Sequence, residues 1–165
     1  MFKPMRRNQQ QLQDQEVYSI LERNTHGVLA LQSDTGYPYA IPLNYVLHNN
    51  KLYFHVAKVG HKMDALHYCD RASFCVVDQD EIVLEELTTY YKSVIAFGKV
   101  SVIEDPKQKY QAIDCLIAHF DPNLSAKERQ DAILPGLDRV EMIQFEIEHI
   151  TGKQAKNLAL KQSSL

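Results

Sequence analysis

Apolar positions along this chain recur at two spacings, and each change of spacing marks a change of element. From Asp14 to Asn24, Val17, Ile20 and Leu21 share one helical face, and Asn24-Thr25-His26-Gly27 ends the run. Gly27 to Gln32 reads as a short apolar strand, with a turn at Asp34-Thr35-Gly36. The next strand spans about Tyr37 to Leu47 and contains Pro38 and Pro42. Proline cannot donate to a ladder, so Pro42 marks an edge, a bulge or a docking place. His48-Asn49-Asn50-Lys51 makes a hairpin turn into the strand Leu52–Val56. There Leu52, Phe54 and Val56 alternate with Tyr53 and His55; an apolar barrel interior takes the first set and leaves His55 outside.

A helix at His61–Tyr68, a strand at Ala72–Gln79 and a loop at Asp80–Thr89 follow. Tyr90 to Glu104 is a long alternating strand, with a bulge or bend expected at Gly98. Pro106 opens a helix that runs to about Phe120, and spacing assigns Tyr110, Ile113, Leu116, Ile117 and Phe120 to the core. Ser125 and Glu128 have capping-box spacing at the start of another helix. The last strand is Val140–Ile150, with Met142, Phe145 and Ile147 as candidates for burial. A weak helix begins at Lys156, and Ser163 and Ser164 are expected to fray. The pattern therefore predicts a mainly β protein, a six-stranded antiparallel barrel with helical insertions.

Composition narrows the function classes. A length of 165 residues fits one domain with a substantial core, and 45% apolar with 24% charged residues is ordinary for a soluble globular protein. The net charge of −3 gives no electrostatic case for nucleic-acid binding, and no apolar run is long enough to span a membrane. The start, MFKPMRRNQQQ, is basic but lacks the apolar stretch of a secretory signal, so a cytoplasmic protein is expected. Three cysteines (Cys69, Cys75 and Cys115), an odd number without CxxC spacing, read as free thiols, with a Cys69–Cys75 disulfide as the less favoured alternative. His55, His61 and His67 are not at the i, i+4 spacing of a helical metal site, and no metal is assigned.

The chemistry concentrates between Leu52 and Leu66. A strand ends, a loop carries Lys58 and Gly60, and a helix opens with His61 and Lys62. A helix start has unpaired N–H groups and partial positive charge, so this segment predicts a phosphate cradle with His55 beside it. The plainer alternative is a solvated basic helix start. No Gly-x-Gly-x-x-Gly is present to hold a dinucleotide.

Five segments resemble a known family. They are Tyr37-Pro-Tyr-Ala-Ile-Pro-Leu-Asn-Tyr45, Leu52-Tyr-Phe-His-x-Ala-x-x-Gly-His-Lys-x-Asp-Ala-Leu66, Ser73-Phe-Cys-Val-Val-Asp78, Tyr90-Tyr-Lys-Ser-Val-Ile-x-Phe-Gly-Lys99 and Ile147-Glu-His-Ile-Thr-Gly-Lys153. In this order they are similar to the nitroimidazole-resistance proteins of the FMN-binding split-barrel superfamily, which also holds pyridoxamine 5′-phosphate oxidase. The resemblance implies a split-barrel domain over residues 1–155 with a tail at 156–165. It also implies a homodimer with FMN at the subunit interface and a small aromatic nitro substrate reduced to the amine.

Carried over residue by residue, the resemblance places His61 and Lys62 on the FMN phosphate, with Lys58 nearby. It lays the backbone of Ile41, Pro42, Leu43 and Asn44 along the flavin edge and brings Ser93 to the cofactor. His55 matches the histidine beside the substrate site and becomes the candidate general acid, with Tyr53 or Tyr91 as helper. The chain departs from the oxidases where Tyr39, Asn44 and His61 replace basic residues, and it contains no Trp. Vitamin B6 oxidation is therefore not expected. The alternative class is a flavin- or haem-binding module with a protective, non-catalytic role.

Overall fold

Side chains that alternate between core and solvent build one antiparallel sheet. Its strands are β1 (His26–Gln32), β2 (Pro38–Asn44), β3 (Val46–His48), β4 (Lys51–Ala57), β5 (Arg71–Val83), β6 (Thr88–Val102) and β7 (Val140–Gln154), in the order β2-β1-β5-β6-β7-β4-β3. The helices are α1 (Asp14–Arg23), α2 (His61–Tyr68), α3 (Pro106–Phe120), α4 (Ala126–Ile133) and α5 (Lys156–Gln162). The structure is a computed structural model and describes residues 2–162. Ser163 and Ser164, expected to fray, lie outside the described residues.

The sheet has seven strands, not six, because the single strand expected from Tyr37 to Leu47 breaks at Tyr45. β2 pairs with β1 and β3 pairs with β4, at opposite edges of the sheet. Tyr45 alone carries the chain between them, so the sheet curls into an open barrel split between its two edges. The residue is fully buried; its hydroxyl donates to the Leu21 carbonyl at 2.8 Å and its ring meets Phe74 edge-on. Removal from water pushes its phenol pKa up. Pro42 lies opposite Val28 on edge strand β2, where a missing donor costs least.

Asp80–Thr89 is not a loop. β5 continues to Val83, β6 begins at Thr88, and one 3₁₀ turn at Leu84–Glu86 closes the hairpin. Ile82, Val83, Thr88 and Thr89 are β-branched and sustain the pairing that the nearby acidic residues disguise. Gly98 lies at the expected bulge: the register with β7 shifts between Phe97 and Gly98, and a Cβ there would collide with the Glu146 carbonyl. Asn49 and Asn50, at φ 49° and 60°, give the β3–β4 hairpin the left-handed pair a tight turn needs.

The barrel interior holds Leu29, Leu52, Phe54, Val56, Phe74, Val94, Ala96 and Phe145, closed by Val17, Ile20 and Leu21 of α1. A second cluster lies outside, where Ala112 and Ile113 of α3 pack with Ile103, Ile133 and Met142. Phe120 is 44% exposed and does not join it; it is the last residue of α3, and apolar spacing does not show where a helix leaves its sheet. Ile147 is only partly buried.

Two ionic ties fix α1. Arg23 donates twice to Asp78, at 2.8 and 2.6 Å, and Glu16 accepts from Lys92 at 3.1 Å. Asp78 occupies the register shift between Val77 and Gln79. All three cysteines are free and half-buried. Among the described residues no helix is long and apolar enough to cross a membrane.

Candidate functional site

α2 begins where β4 ends, and Gly60 makes the junction. Its φ of +115° disfavours any side chain, and its carbonyl accepts from Met63 and Asp64 at 2.8 and 3.2 Å. The first N–H groups of the helix, including those of His61 and Lys62, have no acceptor within it. A Cβ built on Gly60 would meet nothing within 4 Å, and Gly60 and His61 are exposed, so the helix start is open to solvent. An exposed helix start with free N–H groups and a lysine beside them suits an anion such as phosphate.

His61 is held on two sides. Its Nε2 lies 3.0 Å from the Ser33 hydroxyl, and its ring stacks on Tyr39 with centroids 4.1 Å apart. Ser33 is 1% exposed, and its hydroxyl also accepts from the Thr35 N–H. The turn after β1, the edge strand β2 and the start of α2 thereby form one unit, with the Nδ1 of His61 left available to a ligand. Lys62 is half-buried and joins no ion pair among the described residues. Lys58 sits differently from expectation: its ammonium lies 3.9 Å from Glu141, which also binds Lys109 at 3.2 Å. It leans toward α3 and β7 instead of the cradle.

On β2, Tyr39, Ile41 and Leu43 turn toward the core, while Ala40, Pro42 and Asn44 face out. Of the four residues expected along a flavin edge, Ile41 and Leu43 can therefore offer only backbone. The Asn44 amide donates to the Thr25 carbonyl at 3.1 Å. His55 lies exposed on the outer face of β4, opposite Met142 of β7, on the side that alternation predicts.

Ser93 is elsewhere. It pairs with Val77 and Lys153, whereas the row of His55 and Met142 meets the chain at Ile103, whose N–H donates to Met142. From 93 to 103 is roughly 33 Å of strand path at ~3.3 Å per residue. One copy of the chain brings His61, Lys62 and β2 together and sets Ser93 far from the row of His55. The outer face beside Ser93 is apolar, with Val28, Val77, Ile95 and Phe97 between 39% and 56% exposed. A separate cleft of about 470 Å³ between α3 and the β3–β4 hairpin, lined by Tyr53, Tyr110 and Cys115 among others, includes none of the expected cofactor residues.

Ser33 and Glu141 were not legible in the sequence. Ser33 reads as one residue of a polar turn, and nothing local reveals a hydroxyl buried against a histidine 28 positions on. Glu141 pairs with Val56 of β4, about 85 residues earlier, across a pairing no local pattern specifies.

A family model described as pyridoxamine 5′-phosphate oxidase matches residues 13–154. No curated protein matches the chain. A solved structure of a candidate 5-nitroimidazole antibiotic resistance protein from Bacteroides thetaiotaomicron is similar at 22% identity and TM-score 0.75, over 87% of this chain and 86% of that one. An FAD-binding protein from Mesorhizobium loti is similar at 24% identity and TM-score 0.66, over 88% and 96%. An FAD and heme binding protein from Mycobacterium smegmatis is similar at 19% identity and TM-score 0.71, over 93% and 80%.

Proposed function

Because this chain belongs to the pyridoxamine 5′-phosphate oxidase family, we propose that it is an FMN-dependent oxidoreductase that reduces aromatic nitro compounds, such as 5-nitroimidazoles, to amines. The observation that carries this reading is the exposed start of α2, where Gly60, an anchored His61 and a Lys62 that joins no ion pair among the described residues lie together. The fold shared with the Bacteroides protein supports the choice of substrate class.

Reduced FMN, when bound, supplies hydride to an aromatic nitro group. The chain's own residues bind and position. Lys62 and the N–H groups of α2 hold the phosphate, and Ser33 keeps the His61 ring fixed so that Nδ1 can add one hydrogen bond. The β2 backbone from Ile41 to Asn44 would line the ring edge. His55 delivers protons to the nitro oxygens as they leave as water. Complete reduction of a nitro group takes three hydride equivalents and three protons and releases two waters. The reach from the cradle to Ser93 is supplied by a second copy, whose Ser93 and apolar outer face would close the site in a homodimer.

The test combines colour and turnover. Freshly purified protein should be yellow, with oxidised-flavin bands; a Soret band instead would favour the haem-binding alternative. Prereduced protein should convert a 5-nitroimidazole to its amine. His55→Ala should keep fold and FMN but lose roughly 10²–10⁴-fold in turnover. Wild-type activity should fall toward alkaline pH, where a side-chain acid no longer supplies protons. A His55→Ala variant with wild-type kcat and an unchanged pH profile would place the proton donor elsewhere.

A further inference from the structure

We infer that the N-terminal segment and the start of α5 form a second binding site, one that takes the phosphate of a nucleotide. As the dock of a phosphorylated electron donor it rests on the oxidoreductase reading; as a nucleotide site it does not. Arg6, Arg7, Asn8, Gln9, Gln10 and Lys156 line a cleft of about 430 Å³. Three of the six are cations and none is acidic. The chain as a whole carries a net charge of −3, so a cleft lined by three cations and no carboxylate runs against the overall balance. None of the three appears in an ion pair among the described residues. The carboxylate beside α5, Glu86, already accepts from the Tyr90 hydroxyl at 2.7 Å and the Asn157 amide at 2.9 Å.

The second observation is Gln10. It is 7% exposed, and its Oε1 is buried without a hydrogen-bond partner. Its place is fixed, because its N–H donates to the Arg7 carbonyl at 3.0 Å and the next residues tie to β7 through the Gln11–Lys153 bridge and the Leu12 N–H on the Gly152 carbonyl. A buried carbonyl oxygen without a donor is costly, and a ligand that supplies one recovers that cost. Arginine and lysine bind phosphate, and arginine can do so through two parallel hydrogen bonds. Inorganic phosphate would satisfy the cations but offer Gln10 little. A nucleotide satisfies both, through its phosphate and through a sugar hydroxyl or base amine.

The location suits a donor. All six lining residues fall outside the stretch 13–154 that the family model matches. It adjoins Lys153, which stands opposite Ser93, the residue the resemblance brings to the flavin.

The experiment is a calorimetric titration of the protein as purified with ADP, pyrophosphate and NADPH. ADP should bind saturably, and Arg6→Ala/Arg7→Ala should weaken it by roughly tenfold to a hundredfold. Gln10→Leu should weaken ADP and leave pyrophosphate unchanged; the exposed arginine pair serves if that buried change disturbs folding. NADPH that binds competitively with ADP, with a raised KM in the double variant but unchanged FMN affinity and dithionite-driven turnover, identifies a nicotinamide donor as the ligand. ADP binding without an NADPH response assigns the site to a free nucleotide. No saturable ADP heat in the wild type, or unchanged binding in the double variant, overturns the site. Absence of flavin counts against the oxidoreductase alone, because ADP binding is read independently.

Discussion

In the proposed phosphate site, Lys62 is a side-chain cation that pairs with no carboxylate among the described residues, so it should dominate phosphate affinity. Lys62→Ala removes a charge-assisted contact worth roughly 1.5–3 kcal/mol and should weaken FMN by one to two decades in a fluorescence titration. Lys58→Ala should do less, because Glu141 already draws that ammonium away. Equal FMN affinity for Lys62→Ala and wild type would remove the cradle from the binding site. The residue scale also shows how far the sequence could be read. Alternation in β4 is enough to put His55 outside and Leu52, Phe54 and Val56 inside, since the pleat alone decides facing. The anchoring of His61 by Ser33 depends on two turns meeting in space, and no periodicity encodes that.

Among the elements, α2 matches its expected bounds, and α1 and α3 match to within a residue, because Gly60, the Asn24 stop and Pro106 act locally. The break at Tyr45 and the length of the β5–β6 hairpin were not legible, because each is decided by which strand lies alongside. The docking of α1 on β5 is a case where ionic pairing adds to apolar burial. The Arg23 guanidinium, together with the Asn24 amide, holds the Asp78 carboxyl below its ordinary value of 3.8 against the opposing effect of burial. Glu16 is lowered too: burial would raise it, and Lys92 and Arg23 outweigh that. A carboxylate with a depressed folded pKa contributes stability that is complete above its unfolded value, near ~4, and is lost as pH falls through the folded value. Wild-type stability should therefore fall below about pH 4. Asp78→Asn should cost about 1–3 kcal/mol at neutral pH and flatten that decline, measured by urea denaturation across pH. An unchanged acid limb in the variant would locate the acid sensitivity in other carboxylates.

For the whole molecule, the proposed two-fold partner would account both for the separation of Ser93 from the His55 row and for the exposed Val28, Val77, Ile95 and Phe97. Light scattering should give about twice the chain mass of 19.0 kDa, and Phe97→Glu should shift the protein toward the single chain and weaken FMN together. Full FMN affinity in a protein that scatters as one chain would refute an interface-built site. The barrel's connectivity also bears on how the chain is made. Lys51 of β4 bonds Glu146 of β7, 95 positions later, and β4 has only the three-residue β3 as its other neighbour. Until the ribosome has delivered the segment from Val140, β4 and β6 each keep an open edge that any similar strand can extend. Pairing across such a span forms late and slowly. Fragments that stop before Val140 should therefore self-associate, and amide exchange should show β4 and β7 gaining protection together, after the β5–β6 hairpin.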